Sequence, residues 1–322
     1  MVGSRFHARL ASGSSVVALI GLAATASAIG SGSQSPGSGY HPPRIPPVLR
    51  PALPGEGVWQ AAGKPIAGRP PVLTTTFRPS RTDLSVVAYV AWIDRTRTQL
   101  ALYPGSSQPP TTSFRGPAEV PLGQRWRLLA TFNGGFKYGS RSGGGGGFAV
   151  DGHTYVPLQR GLGTLVGYRN GRIDVIAWNG RPRPGRNVAF ARQNLELLVN
   201  GERPGADPTS KATWGSTLGG GQAVWRTGAG VDRRGNLIYA AANETVDGLA
   251  RILIRAGAIR AIELDINPEW PTFDVYQHAP LRPAQFVPNS QEPTARYLAP
   301  DSRDFFAVYR RLPGAPVTVP FH

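Results

Sequence analysis

Hydrophobic and polar positions alternate most sharply late in the chain. In residues 261–276, Glu263, Asp265 and Asn267 stand two apart, and Ile262, Leu264 and Ile266 fill the places between them. An extended strand sends successive side chains to opposite faces, so the pattern predicts one apolar face and one face of carboxylates and amide. Pro268 cannot donate to a ladder and should end the strand, leaving Glu269 and Trp270 just past its tip. Immediately upstream the period changes. Val246, Leu249, Ile252, Leu253 and Ala256 fall at helical spacing, with Thr245 placed as N-cap and Gly257 placed after the C-cap.

Most of the remaining pattern has period two. Residues 84–93 and 98–103 read as a hairpin around the polar turn Asp94-Arg95-Thr96-Arg97. Residues 127–132 read as a strand. Phe148–Val150 and His153–Val156 should turn at Asp151-Gly152, and residues 163–168 and 172–178 at Asn170-Gly171. Residues 195–199, 222–226, 237–242 and 305–309 add further strands. The expectation is α+β and predominantly β: a mixed sheet with hairpins and a late helix packed on it, in one domain over 72–322.

The 322 residues and 40% hydrophobic content suffice to bury a core without covalent staples. The absence of cysteine excludes disulfides, thiolate metal sites and a cysteine nucleophile. A net charge of +16 invites a nucleic-acid reading. Against it, Lys64, Lys137 and Lys211 are the only lysines, the arginines are scattered, and no nucleic-acid-binding signature is present. The expected partner is not nucleic acid. The charge does imply long-range attraction to anionic polymers, including envelope phosphates and acidic lipids at a membrane surface.

Residues 1–28 read as an export signal, with Arg5 and Arg9 ahead of an apolar run over 16–26 and Ala26-Ser27-Ala28 as a cleavage site. Residues 29–71 are rich in Pro, Gly and Ser and read as a flexible linker. Together they point to a secreted or cell-envelope-associated protein.

Four groups of residues could carry chemistry. Asn133-Gly134-Gly135-Phe136 follows a strand, and its glycines would allow close backbone approach to a ligand and an anion-binding nest. Arg192 and Arg226 each stand at a strand edge or end, where a guanidinium fork suits phosphate, carboxylate, or the Glu263/Asp265 face itself. Asp265-x-Asn267-x-Glu269 has the alternating oxygens of a calcium loop's opening but lacks its glycine, so no metal or other cofactor is expected. The five histidines form no H-x-x-H pair, and there is no G-x-S-x-G elbow.

Several of these features together resemble the phosphodiester glycosidase family. They are the strand running into Asn133-Gly134-Gly135-Phe136, the glycine run 143–147 and the Phe148–Gly152 turn. The arginine-led stretch 226–237 and the helix ending in Gly257-Ala258 before Leu264-Asp265 complete the set. The likeness spans about 128–276 and implies a divergent bacterial exported member. One departure falls at the site: where the family usually follows Leu-Asp with a glycine-rich turn and serine, this chain has Ile266-Asn267-Pro268-Glu269-Trp270, and Lys137 replaces a second aromatic after NGGF. The resemblance implies a hydrolase acting on a sugar phosphodiester or related envelope glycan. Asp265 would then be the nucleophile or base, with Arg226 and Arg192 on the phosphate and the Asn133–Gly135 backbone on its remaining oxygens. Asn267 would orient the sugar, Trp270 would stack on it, and Glu269 would be a second carboxylate. The alternative is a non-catalytic module binding anionic envelope glycans in the same cleft.

Overall fold

Buried aliphatic and aromatic side chains from three antiparallel sheets meet in one central core. The computed structural model describes residues 41–111, 115–139, 145–205, 214, 220–278, 280–288 and 291–312. The largest sheet has eight strands in the order Gln60–Ala61, Val72–Phe77, Ala88–Ile93, Leu237–Glu244, Val224–Val231, Arg260–Ile266, Leu197–Asn200 and Arg203–Pro204. A second sheet orders His153–Val156, Phe148–Val150, Val188–Gln193, Gly163–Tyr168 and Ile173–Ala177. A third orders Arg282–Gln285, Phe273–Gln277, Leu128–Asn133, Phe305–Arg310 and Thr98–Tyr103. The fold is α+β and predominantly β, although every pairing among the described strands is antiparallel rather than mixed. No helix among the described residues is long and apolar enough to cross a membrane.

The late helix forms as its spacing predicts. Val246–Arg255 buries Val246, Leu249, Ile252 and Leu253 against the outer face of the large sheet. The Thr245 hydroxyl accepts the Gly248 N–H at 3.0 Å, satisfying an N–H that the first turn leaves unpaired. The turns at Asp151-Gly152 and Asn170-Gly171 also join paired strands.

Two expectations fail. Ala88–Ile93 and Thr98–Tyr103 do not pair with each other: the first lies in the large sheet and the second at the edge of the third. Asp94 accounts for the difference. Its Oδ1 accepts the Thr96 N–H and hydroxyl, its Oδ2 takes Arg97, and its own carbonyl receives the Thr98 N–H. That local network builds a corner carrying the chain between sheets instead of a hairpin turn.

The second failure concerns 29–71. Residues before 41 lie outside the described set, the export signal among them, as do 143 and 144 of the glycine run. From Pro42 onward, however, the chain belongs to the folded unit, and the linker expectation is wrong there. Ile45 is 1% exposed, and Trp59 donates its indole N–H to the Pro43 carbonyl at 2.8 Å. Gln60–Ala61 pairs with Leu73 and Thr74. The buried Glu56 carboxylate takes the Arg78 backbone N–H at 2.9 Å and its guanidinium at 3.0 and 3.2 Å, which holds the acid down at about 2. A few apolar anchors and one buried ion pair outweigh the average composition. Ile45→Ala should therefore cost about 2–4 kcal/mol and lower the melting temperature by roughly 5–10 °C. A change of a degree or less would mean the segment is not anchored.

Candidate functional site

The strand Arg260–Ile266 does not keep the simple alternation its sequence suggests. Arg226 stands opposite Ile266 and Gly228 opposite Glu263, so Leu264 and Asp265 both face Thr227 in a β-bulge. Ile262 and Leu264 enter the central core, while Ile266 joins the helix-side cluster. The expected single face of Glu263, Asp265 and Asn267 is thereby split. Thr227 pins the bulge by donating its hydroxyl to the Asp265 carbonyl at 2.7 Å. Asn133 in turn donates to the Thr227 oxygen at 2.9 Å, and its own oxygen accepts the Tyr239 hydroxyl at 3.1 Å and the Thr272 N–H at 3.2 Å.

The split separates the two carboxylates. Ala229 and Val231 point into the central core, so Arg226, at the opposite parity, lies on the helix side. There its Nη1 meets Glu263 Oε1 at 2.7 Å, and its other donors reach the Glu244 and Gln222 carbonyls. Glu263 is fully buried, and its Oε2 has no hydrogen-bond partner among the described residues. Burial pushes its carboxyl up to about 7 against the pull of Arg226, with Asp265 adding to the rise.

Asp265 turns the other way. Its Oδ2 sits 2.5 Å from Arg303 Nη2, and its Oδ1 accepts the Ile266 N–H at 2.9 Å. The Arg303 guanidinium also donates to the Gly135 carbonyl at 3.1 Å and lies 4.5 Å from the Trp270 ring centre, while its buried Nε has no partner among the described residues. Burial raises the Asp265 carboxyl to about 6, opposed first by Arg303 and the Ile266 N–H; Asp304 adds to the rise and Arg192 counters it.

Arg192 and Asp304 form the second half of this cluster. Nε and Nη2 of Arg192 grip Asp304 at 2.8 and 3.2 Å, with both side chains almost wholly buried. The remaining donors reach the carbonyls of Phe136, Gly145 and Gln193. Burial works against the Arg192 charge, but Asp304, helped by Tyr138 and Asp265, offsets it and holds the guanidinium firmly protonated. This explains the two glycines of Asn133-Gly134-Gly135-Phe136. A Cβ on Gly134 would lie 2.1 Å from Asp304 Oδ2, and one on Gly135 2.9 Å from the Arg192 guanidinium. The loop seats an internal ion pair: the Gly134 N–H goes to the Asp304 carbonyl and the Phe136 N–H to Asn194 Oδ1.

Asn267 adopts φ +79°, a left-handed conformation that asparagine tolerates better than most residues. Its N–H donates to the Trp225 carbonyl, and the Trp270 N–H returns to the Asn267 carbonyl at 3.4 Å, so 267–270 closes as a turn. Trp270 is half-buried, and Glu269 is exposed on the same turn. The structure thus brings Asp265, Trp270, Gly134, Gly135 and Arg192 together through Arg303 and Asp304. It does not bring Arg226 to them. Sequence reasoning missed Arg303 and Asp304, whose only signal is a charged pair opening an apolar strand. Among the described residues, no three His, Asp or Glu side chains converge to hold a metal.

No protein-family model matches the chain, and no curated protein matches it in sequence. Among solved structures, it is similar to the catalytic domain of zebrafish N-acetylglucosamine-1-phosphodiester alpha-N-acetylglucosaminidase, auto-inhibited by its pro-peptide. The identity there is 13% over 79% of this chain and 88% of that one, with a TM-score of 0.48. It is also similar to a hypothetical protein of Synechocystis (13%, 76% of this chain, 63% of that one, TM-score 0.42) and to a Burkholderia pseudomallei protein named as exported (13%, 70% and 74%, TM-score 0.41). Overlap at this level assigns no residue and no chemistry.

The two acids should respond oppositely to neutralisation. Asp304→Asn strands a buried guanidinium and should cost about 3–5 kcal/mol at neutral pH. Asp265 titrates higher folded than unfolded, so its stability contribution is full below about pH 4 and is lost as pH rises through about 6. Asp265→Asn should therefore gain on wild type in melts taken from about pH 4 to pH 8. The reverse trend would show that Arg303 outweighs burial.

Proposed function

We propose that the chain is a glycosidase-like hydrolase acting outside the cytoplasm on a sugar phosphodiester or a related anionic envelope glycan. One observation carries this reading. At the bulged end of a strand, a buried carboxyl raised to about 6 pairs with Arg303, whose guanidinium also stacks on the half-exposed Trp270. An anionic group entering beside the indole competes for Arg303 and frees the Asp265 carboxylate. A phosphate monoester leaving group has a second pKa near ~6 and needs little protonation, so one carboxylate and one cation suffice.

In this reading Asp265 attacks or activates water at the anomeric carbon, the glycosidic C–O bond breaks, and the phosphate departs onto Arg303. Water then supplies the hydroxyl of the freed sugar. Trp270 covers the sugar face and Asn267 holds the turn beneath it. Glu269, exposed on that turn, is the second carboxylate available to an ordinary glycosidic bond. Arg192 acts at one remove, by fixing Asp304 and the Gly134-Gly135 backbone. Arg226 has no place in the reaction.

One observation favours the binding-module alternative: both Asp265 oxygens already have partners within the protein. The readings separate on turnover of a p-nitrophenyl sugar phosphodiester. The hydrolase should show a rate that rises with pH through about 6 as Asp265 ionises. Asp265→Asn should lower kcat by about a thousandfold or more, and Arg303→Ala should chiefly raise KM. An unaltered rate in Asp265→Asn would eliminate the catalytic role. Wild type that retains the glycan without turning it over, and loses it in Arg303→Ala, would establish the module.

A further inference from the structure

A second cationic site lies at the far end of the same strand. A groove of about 720 Å³ is lined by Tyr168, Arg172, Asp174, Ile176, Arg181 and Arg183, within the ~300–1,000 Å³ range of small-molecule sites. Its floor is the edge of the second sheet, where Ile173–Ala177 has a partner on one side only. Its rim is the following loop, 178–187, which is tied down rather than loose. Trp178 donates its indole N–H to the Pro182 carbonyl at 2.8 Å and its backbone N–H to Leu162 at 3.0 Å, and Gly185 bridges to Val188.

Charge is distributed unevenly around this groove. Asp174 is the one carboxylate in the lining, and it is already shared by Arg172 at 3.0 Å and Arg260 at 2.5 Å. Arg181, Arg183 and Arg186 are exposed and carry no ion pair among the described residues. The loop itself, WNGRPRPGRN, has no acid. By contrast, the buried Arg192 and Arg226 are each matched by one carboxylate, Asp304 and Glu263. Here three exposed guanidinium groups within six residues, two of them lining the groove, have no carboxylate partner among the described residues and are open to a ligand.

The groove does not suit nucleic acid. A duplex needs a continuous basic stripe, and single strands need open aromatic faces. Arg172 already covers the Tyr168 ring at 4.6 Å, and the Asp174 carboxylate lies in the floor. An anion-bearing glycan has spaced charges and hydroxyls between them, which matches arginines set around one carboxylate. Arg260, which backs the groove, and Asp265 are five residues apart on one strand, about 17 Å at ~3.3 Å per residue. We propose that this groove binds a segment of an anionic, phosphodiester-bearing glycan chain, holding a polymer whose other end reaches Asp265. The second clause rests on the hydrolase reading; the binding itself does not.

The test uses phosphomannan as probe, with neutral mannan and duplex DNA as comparators, and the paired variant Arg181→Ser/Arg183→Ser. Wild type should bind phosphomannan in preference to both comparators. The variant should bind it at least about tenfold more weakly, with a salt dependence shallower by roughly one to two counterions. Its melting temperature and its turnover of the small p-nitrophenyl substrate should be unchanged. Binding within twofold of wild type in the variant overturns the proposal. So does tighter binding of duplex DNA that the variant loses, which would make the groove a nucleic-acid surface. Failure of the small substrate to turn over, with groove binding intact, sinks the Asp265 assignment and leaves the groove standing.

Discussion

The buried pair between Arg192 and Asp304 ties the second sheet to the third beside the Asn133–Phe136 loop. Arg192 comes from the second sheet, and Asp304 immediately precedes the Phe305–Arg310 strand of the third. The loop they pack against leaves the Leu128–Asn133 strand. A guanidinium with no exposed surface is tolerable only if its donors are satisfied, and this one spends them on a bidentate carboxylate and three carbonyls. Those carbonyls belong to Phe136, Gly145 and Gln193, so the pair also fixes where the glycine-rich backbone runs. Once Asp304 is placed, its neighbour Arg303 has little freedom, and the partner of Asp265 is set with it.

The two aspartates show how similar contacts yield different states. Asp304 receives two prongs of one fork and faces a guanidinium that it keeps charged in spite of burial. Asp265 receives one prong and one backbone N–H, with Asp304 close enough to repel it. Burial then dominates and lifts the carboxyl into the range where protonation changes near neutral pH. The first pair is a fixture, and the second can exchange. In the hydrolase we propose, that difference would put the chemistry at Asp265 and leave Arg192 a supporting part.

Locally encoded features were legible in the sequence. The Thr245 cap, the apolar stripe of the helix and the Asn170-Gly171 turn each depend on residues within a few positions, and each formed as expected. What escaped depends on partners distant in the chain. The Asp94 corner looks like a hairpin turn until the strands on either side find different neighbours. The bulge opposite Thr227 arises from register with Val224–Val231, which no alternation within 261–276 reveals. Ile45 and Trp59 are anchors only because a sheet lies beneath them. Of the candidate cluster, Asp265, Trp270 and the NGG loop stood out in the sequence, whereas Arg226, expected on a bound phosphate, pairs with Glu263, and Arg303 could not be found by spacing.

The turn after Asp265 is built from residues that restrict its backbone. A glycine-rich turn adopts left-handed backbone freely. Here Asn267 supplies that conformation at φ +79°, and Pro268 follows with a φ fixed near ~−65°. The backbone path out of the strand is thus set by stiff residues. At its end the turn delivers Trp270, which lands over Arg303 and within 5.5 Å of Arg296, itself tied to Asp301 and Glu292. An indole on a guanidinium both strengthens the cation's position and screens it from water. Asp265 therefore lies beneath a Trp270–Arg303 roof, which a ligand approaching from that side meets first.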